Sequence, residues 1–302
     1  MFWTRVKRDF KRNWTAYVFA IPVIAYYLIF HYKPMVGVVI AFKDFRPAIG
    51  IWESEWVGLQ HFKDYISSYY FWRLIRNTLR ISVTGLLVSF PAPIIFALLV
   101  NEVRNDKFKK TIQTISYLPH FVSLVVICGL VKLFVGQGGL VTQFFMLFGR
   151  PDEPMLADPN LFVPIHVLSG VWAGIGWGSI LYLSALSGIN EELYEAAEID
   201  GANRWKQTLH VTLPGISTTI ITKLLLDAGH ILSVGYEKII LLYNEKIYET
   251  ADVISSFTYR RGLLDFQWSF STAVGLFNSV INFILINVFN KISKKVTEVG
   301  LW

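Results

Sequence analysis

The sequence has one cysteine, Cys128, so no internal disulfide forms and the disulfide-stapled scaffolds are excluded. Charge is scarce as well. Asp, Glu, Lys and Arg make up 17% of the 302 residues, against about 25% in soluble globular chains. No G-x-x-x-x-G-K-[ST] stretch is present, and the nearest glycine cluster, Gly136-Gln137-Gly138-Gly139, lacks the lysine a phosphate-binding loop needs. What fills the chain instead is apolar: 53% hydrophobic and 16% aromatic residues, with a mean hydropathy of +0.45. Disorder, collagen and coiled coil are incompatible with those numbers. Too few polar side chains remain to cover a water-soluble fold, so the natural solvent is lipid. The net charge of +6 sits in short basic clusters between apolar runs, which fits membrane topology better than nucleic acid.

A bilayer-crossing helix needs about 20 mainly apolar residues. Six segments qualify: Asn13–Tyr32, Ile81–Asn101, Thr111–Val131, a stretch within Pro159–Asn190, roughly Thr212–Val234, and a stretch within Phe266–Asn290. The predicted fold is an all-α integral membrane protein of six transmembrane helices. Its parts are an N-terminal tail over 1–13, a membrane domain over 14–290 and a C-terminal tail over 291–302. No small-residue cleavage site follows the apolar Ile21–Phe30, so the first span is expected to be retained. Pro34 is expected to end that span, and Pro91 and Pro93 to kink the second. With both ends in the cytoplasm, the inner pieces hold 14 Lys and Arg and the longer outer ones 10, the sense of the positive-inside rule. One inner piece breaks the rule. Residues 188–212 carry two basic residues against five acidic ones.

That acidic piece is the informative one. Asn190 is a good N-cap with Glu191 and Glu192 in the first turn, where the helix dipole favours negative charge. Gly201 is placed to end the helix in a left-handed conformation. A second amphipathic stretch, Asn203–Val211, leads into Leu213-Pro214, where the proline suits the start of the next helix. The pattern predicts a helix–Gly–helix elbow over 188–214, with the small Ala196 and Ala197 allowing another surface to approach. An anionic leaflet repels such acidity, so a docking knob for a soluble protein fits better than a helix lying on the membrane.

Glu195-Ala196-Ala197, three residues, Gly201, nine residues and Val211-x-Leu213-Pro214 resemble the EAA loop of binding-protein-dependent ABC importer permeases, with Val211 in place of the commoner isoleucine. Asn101-Glu102-Val103-Arg104, Tyr117-Leu118-Pro119-His120 and Tyr248 to Ile254 resemble the carbohydrate-uptake branch, above all maltose-permease-like subunits for oligosaccharides and polysaccharide fragments. The resemblance implies that Glu195, Ala196, Ala197, Asp200, Gly201, Leu213 and Pro214 form a coupling helix seated in a cytoplasmic ATPase. It further implies a heterodimer with a second permease, two ATPase subunits that hold ATP and Mg, and an extracytoplasmic binding protein that delivers sugar. The chain itself is then expected to be non-catalytic, to bind no metal or cofactor, and to lie in the bacterial cytoplasmic membrane.

Ionisable groups within a bilayer are functional candidates by default. Lys223, Asp227 and His230 share one face of the fifth span; a simple Lys223–Asp227 pair is the competing reading. In the fourth span, Trp172, Trp177 and Tyr182 stand among Gly170, Gly174, Gly176 and Gly178. Aromatic faces suit sugar rings, although close-spaced glycines also pack helices. The family builds its sugar pocket from these two spans, which makes Trp172, Gly174, Trp177, Asp227 and His230 the substrate candidates. Asn278 is a weaker one, and it and Asn282 equally suit interhelical bonds. The rival classes are a secondary transporter or another membrane protein uncoupled from an ATPase, which leaves the elbow without a role, and a membrane enzyme. For the latter, the outer acids Glu245, Glu249, Asp252 and Asp265 are dispersed among Lys246, Arg260 and Arg261, the pattern expected of a solvated loop.

Overall fold

The computed structural model describes residues 10–229, 231–297 and 300. The fold is all-α. The helices used below are α1 (Trp14–Tyr27), α2 (Phe71–Ser89), α3 (Pro91–Asn101), α4 (Asp106–Tyr117), α5 (Leu124–Val135), α6 (Phe162–Leu186), α7 (Glu191–Ile199), α8 (Arg204–Gln207), α9 (Ser217–Ala228), α10 (Tyr236–Leu242) and α11 (Trp268–Thr297). Among the described residues, five continuous stretches are long and apolar enough to cross a membrane, and a pair bent by 62°, Arg204–Gly215 and Ser217–Ala228, makes a sixth if it is one span.

Two compact units are distinct, one gathering residues up to Ile66 with Arg261–Leu276, the other Ser67–Arg260 with the residues from Phe277 on. In the first, α1 continues through Leu28–Tyr32, Lys33–Met35 and Val36–Phe42, so Pro34 does not end the span as expected. The reason is a π turn: the Lys33 amide donates to the Leu28 carbonyl, and that wider turn accommodates the proline ring and its missing donor. A short antiparallel ribbon then pairs β1 (Lys43–Asp44) with β2 (Glu55–Trp56). The buried Lys43 closes it, donating to the carbonyls of Trp52 at 2.9 Å and Ser54 at 3.1 Å.

In the second unit the spans differ from hydropathy in instructive ways. The second is longer than Ile81–Asn101: helix begins at Phe71, breaks at Phe90 and restarts with Pro91 at its first position, where no donor is needed. The third is not one helix from Thr111 to Val131. α4 stops at Tyr117, Pro119 lies in a 3-10 turn, and Ser123 caps α5 by accepting from the Val126 amide. The fifth does not reach Val234. α9 ends at Ala228, and the next stretch is held by side chains of α11. Asn278 donates to the Leu232 carbonyl at 3.2 Å, and Asn282 accepts from the Leu232 amide at 3.3 Å. The sixth continues to Thr297, into the residues expected as a tail.

Asp252 is the other departure. It is fully buried, not solvated. Arg260 grips it with two bonds of 3.1 and 2.6 Å, Ser256 donates at 2.7 Å and Arg73 lies 3.8 Å away. Burial works against the Arg260 charge, but the hydrogen bonds and charge of Asp252 outweigh it and hold the guanidinium above its ordinary range. Asn77, buried in α2, donates to the carbonyls of Glu249 and Asp252 at 2.8 and 3.0 Å. These bonds fasten the 243–260 segment to the first turns of α2. Removing one member of a buried pair strands the other charge, at a cost of about 3–5 kcal/mol. Asp252→Ala should therefore lower the thermal midpoint of the purified protein markedly, and Asp252→Asn, which keeps an acceptor for Ser256, by less. Equal midpoints for all three proteins in scanning fluorimetry would refute the tie.

Candidate functional site

The elbow is built as its sequence predicts. The Asn190 side chain accepts from the Glu192 amide and starts α7. The helix ends at Gly201, whose φ is +76°. The Gly201 amide donates to the Glu198 carbonyl at 3.0 Å and the Ala202 amide to the Ala197 carbonyl at 2.9 Å, the paired closure of a Schellman ending. Asn203 then caps α8, accepting from the Lys206 amide. The turn leaves apolar side chains in the open: Ile199 is 87% exposed and Trp205 70%. Glu195, Ala196 and Asp200 are exposed beside them. A methyl group at Gly201 would meet nothing within 4 Å, so only the left-handed backbone, and whatever docks there, restricts this position.

The elbow is anchored to the membrane helices at its ends. Arg204 pairs with Glu102 at 2.7 Å, joining α8 to the turn after α3. Tyr194 and Thr212 share a hydroxyl bond of 3.0 Å. Side chains of Glu102, Arg104, Glu191, Tyr194, Glu198 and Arg204 line a mainly polar cavity of about 780 Å³ between these pieces. Leu213 and Pro214 differ from expectation. Pro214 does not begin a helix but lies within a continuous helical run, after a π turn over Thr208–Thr212 in which the Leu213 amide bonds to Thr208. The bend comes two residues later, at Ile216. At Gly215 a Cβ would lie 2.9 Å from the tip of the Ile189 side chain, so a larger residue there requires Ile189 to move.

Lys223 and Asp227 are bonded as an ion pair, the competing reading of their spacing. Both line a cavity of about 460 Å³ with Ser82, Ser89 and Phe90 of the kinked second span and Ser233. Trp172 and Trp177 are not among the residues lining it. Trp177 stacks on His120, with centroids 4.4 Å apart and planes 6° apart, and touches Phe121 edge-on. One of its faces is thus occupied within the chain. Gly176 abuts Ser116, and Gly178 lies against Pro93, so these two glycines serve helix packing. Gly174 has open space before it. Asn278 is engaged by the Leu232 carbonyl. His230 lies outside the described residues.

Sequence reasoning did not single out His120, the Glu102–Arg204 pair or the Asp252 cluster. Their signals were present as short motifs, Leu118-Pro119-His120, Asn101 to Arg104 and Tyr248 to Ile254, but a motif does not say which side chains meet.

Comparisons with known proteins bear on all of this. Residues 89–297 match the family model described as the binding-protein-dependent transport system inner membrane component. Protein LplB of Bacillus subtilis (strain 168) is 43% identical over 97% of this chain and 92% of its own length. The polygalacturonan/rhamnogalacturonan transport system permease protein YteP of the same organism is 40% identical over 95% of this chain and 89% of its own. Among solved structures, a chain of the bacterial alginate ABC transporter, in complex with an alginate pentasaccharide-bound periplasmic protein, superposes with a TM-score of 0.90 at 42% identity, covering 98% of this chain and 100% of that one. Elbow, spans and relatives agree: the chain belongs to the binding-protein-dependent transport system inner membrane component family.

Proposed function

We propose that this permease forms half of the path for an acidic oligosaccharide, works with a second permease and is driven by two ATPase subunits that hold ATP and Mg. The observation that carries the coupling is the elbow. A Schellman-closed turn that exposes Ile199 and Trp205 among carboxylates has the composition of a docking surface, since exposed aliphatic and aromatic anchors gain most by burial. The lysine and arginine distribution supports a cytoplasmic side for both termini. The grouping of contacts supports alternate crossing, because Glu102 meets Arg204 at one end and Asn77 meets Glu249 and Asp252 at the other. The substrate class rests on relatives whose names specify polygalacturonan and alginate, both acidic. An extracytoplasmic binding protein delivers the sugar.

Two sets of variants test this reading. A non-glycine residue in the left-handed region costs about 1–2 kcal/mol, and nothing within the chain obstructs a side chain at Gly201. Gly201→Ala should therefore assemble and retain most transport, whereas Gly201→Asp should assemble but lose transport as the added charge meets the ATPase cleft. Parental transport by Gly201→Asp in the complete complex would sink the docking assignment. The ion pair of α9 separates structure from recognition. If Lys223 and Asp227 only hold each other, Lys223→Met/Asp227→Leu should transport normally. If they also face substrate in the cavity they line, the double variant should assemble with basal ATP hydrolysis intact but transport at least about tenfold more slowly, the scale of one lost charged hydrogen bond.

A further inference from the structure

The stretch Phe71–Asn101 is 31 residues long, about 46 Å at 1.5 Å per residue, whereas the hydrocarbon core is about 30 Å thick. The apolar part begins at Ile81, so the first turns of α2 project beyond it, on the side opposite the elbow. Trp72, Arg73 and Arg76 recur there at helical spacing, and Tyr69 lies in the turn just before α2. With Glu249 they line a cavity of about 490 Å³. Tyr69 is 87% exposed and Trp72 75%, a poor use of aromatic surface unless something covers it. Arg73 is held by Asp252 and by the ring of Tyr70, 4.8 Å from its guanidinium carbon, and its buried Nε has no hydrogen-bond partner.

We infer that this cavity is an entry subsite for one carboxylated sugar ring, a deepening that rests on the acidic-oligosaccharide reading above. The chemistry of the wall selects the occupant. A uronate offers a carboxylate to the guanidinium donors, hydroxyl protons to the Glu249 carboxylate and an apolar C–H face to the indole, all at once. A neutral sugar lacks the first. The diester phosphate of a bilayer headgroup supplies the anion without the ring face.

The test uses the complete permease–ATPase complex in phosphatidylcholine nanodiscs, without binding protein, titrated with tetragalacturonate and with its carboxyl-reduced counterpart. The parental complex should bind the acid in a salt-sensitive manner and the neutral tetramer at least tenfold more weakly. Arg76→Gln and Trp72→Ala should each weaken acid binding about tenfold, with thermal midpoint and basal ATP hydrolysis unchanged. Unaltered binding in both variants, equal binding of the neutral tetramer, or no binding by the parent overturns the subsite. So does an effect of Arg76→Gln that appears only as lost stability in phosphatidylglycerol nanodiscs, or only as weaker docking of the unliganded binding protein. Transport of the same two tetramers by the parent, with its binding protein, judges the substrate class separately. Import of the neutral tetramer alone would refute the acidic reading, whatever the titration gives.

Discussion

In hydrocarbon a backbone amide or carbonyl without a partner costs several kcal/mol, and the helix interruptions at four places in this chain answer that constraint. Where the helix stops, something takes over the exposed groups. After α9, Asn278 and Asn282 bond the carbonyl and amide of Leu232. In the third span, Ser123 accepts from the Val126 amide in the first turn of α5. Before Pro34 and before Pro214, a π turn shifts the hydrogen-bond ladder by one residue so that the chain stays helical past the proline. The kinks are therefore fixed features with defined partners.

The two ends of the second unit use opposite strategies. At one end, Asp252 is buried among Arg260, Arg73 and Ser256, and Asn77 adds two bonds to the backbone. This end is bound tightly to itself. At the other, the elbow is joined to the turn after α3 by an exposed pair, Arg204 and Glu102, worth at most about 1 kcal/mol. That end is free to exchange its contacts. The elbow runs through α8, the π turn and the bend at Ile216 into α9, which carries Lys223 and Asp227 at the cavity beside Phe90. Displacement of the elbow would be transmitted along a covalently continuous path to the wall of that cavity.

Much of this was legible beforehand. Hydropathy located the first, second, fourth and sixth spans because each is a long apolar run, and the elbow was readable down to Asn190 and Gly201 because caps are set by single residues. Hydropathy failed where tertiary bonds outvote it. Thr111–Tyr117 is apolar enough to join the third span, yet Pro119 and Ser123 divide it. Leu232 and Val234 read as membrane residues, yet side chains of α11 hold that stretch out of the helix. Asp252 looked solvated because the acids of its segment are dispersed among Lys246, Arg260 and Arg261; its burial rests on the grip of Arg260 and on Asn77 and Arg73, far away in the chain. The same limit applies to Trp177, whose stacking on His120 is a meeting that spacing does not encode.

The central claim is that the exposed apolar tip of the elbow is covered by an ATPase subunit. Cys128, the single cysteine, is buried, so with Cys128 replaced by alanine Ile199→Cys is the sole thiol of this chain, and the purified permease is labelled before the other subunits are added. Benzophenone-maleimide attached there, followed by illumination of the assembled complex in its membrane, reports directly what lies against the tip. The account predicts a single major photoproduct between this permease and the ATPase, with a yield that changes when ATP is added. Photoproducts with lipid alone, or equal labelling of Ile199→Cys with and without the ATPase, would contradict it.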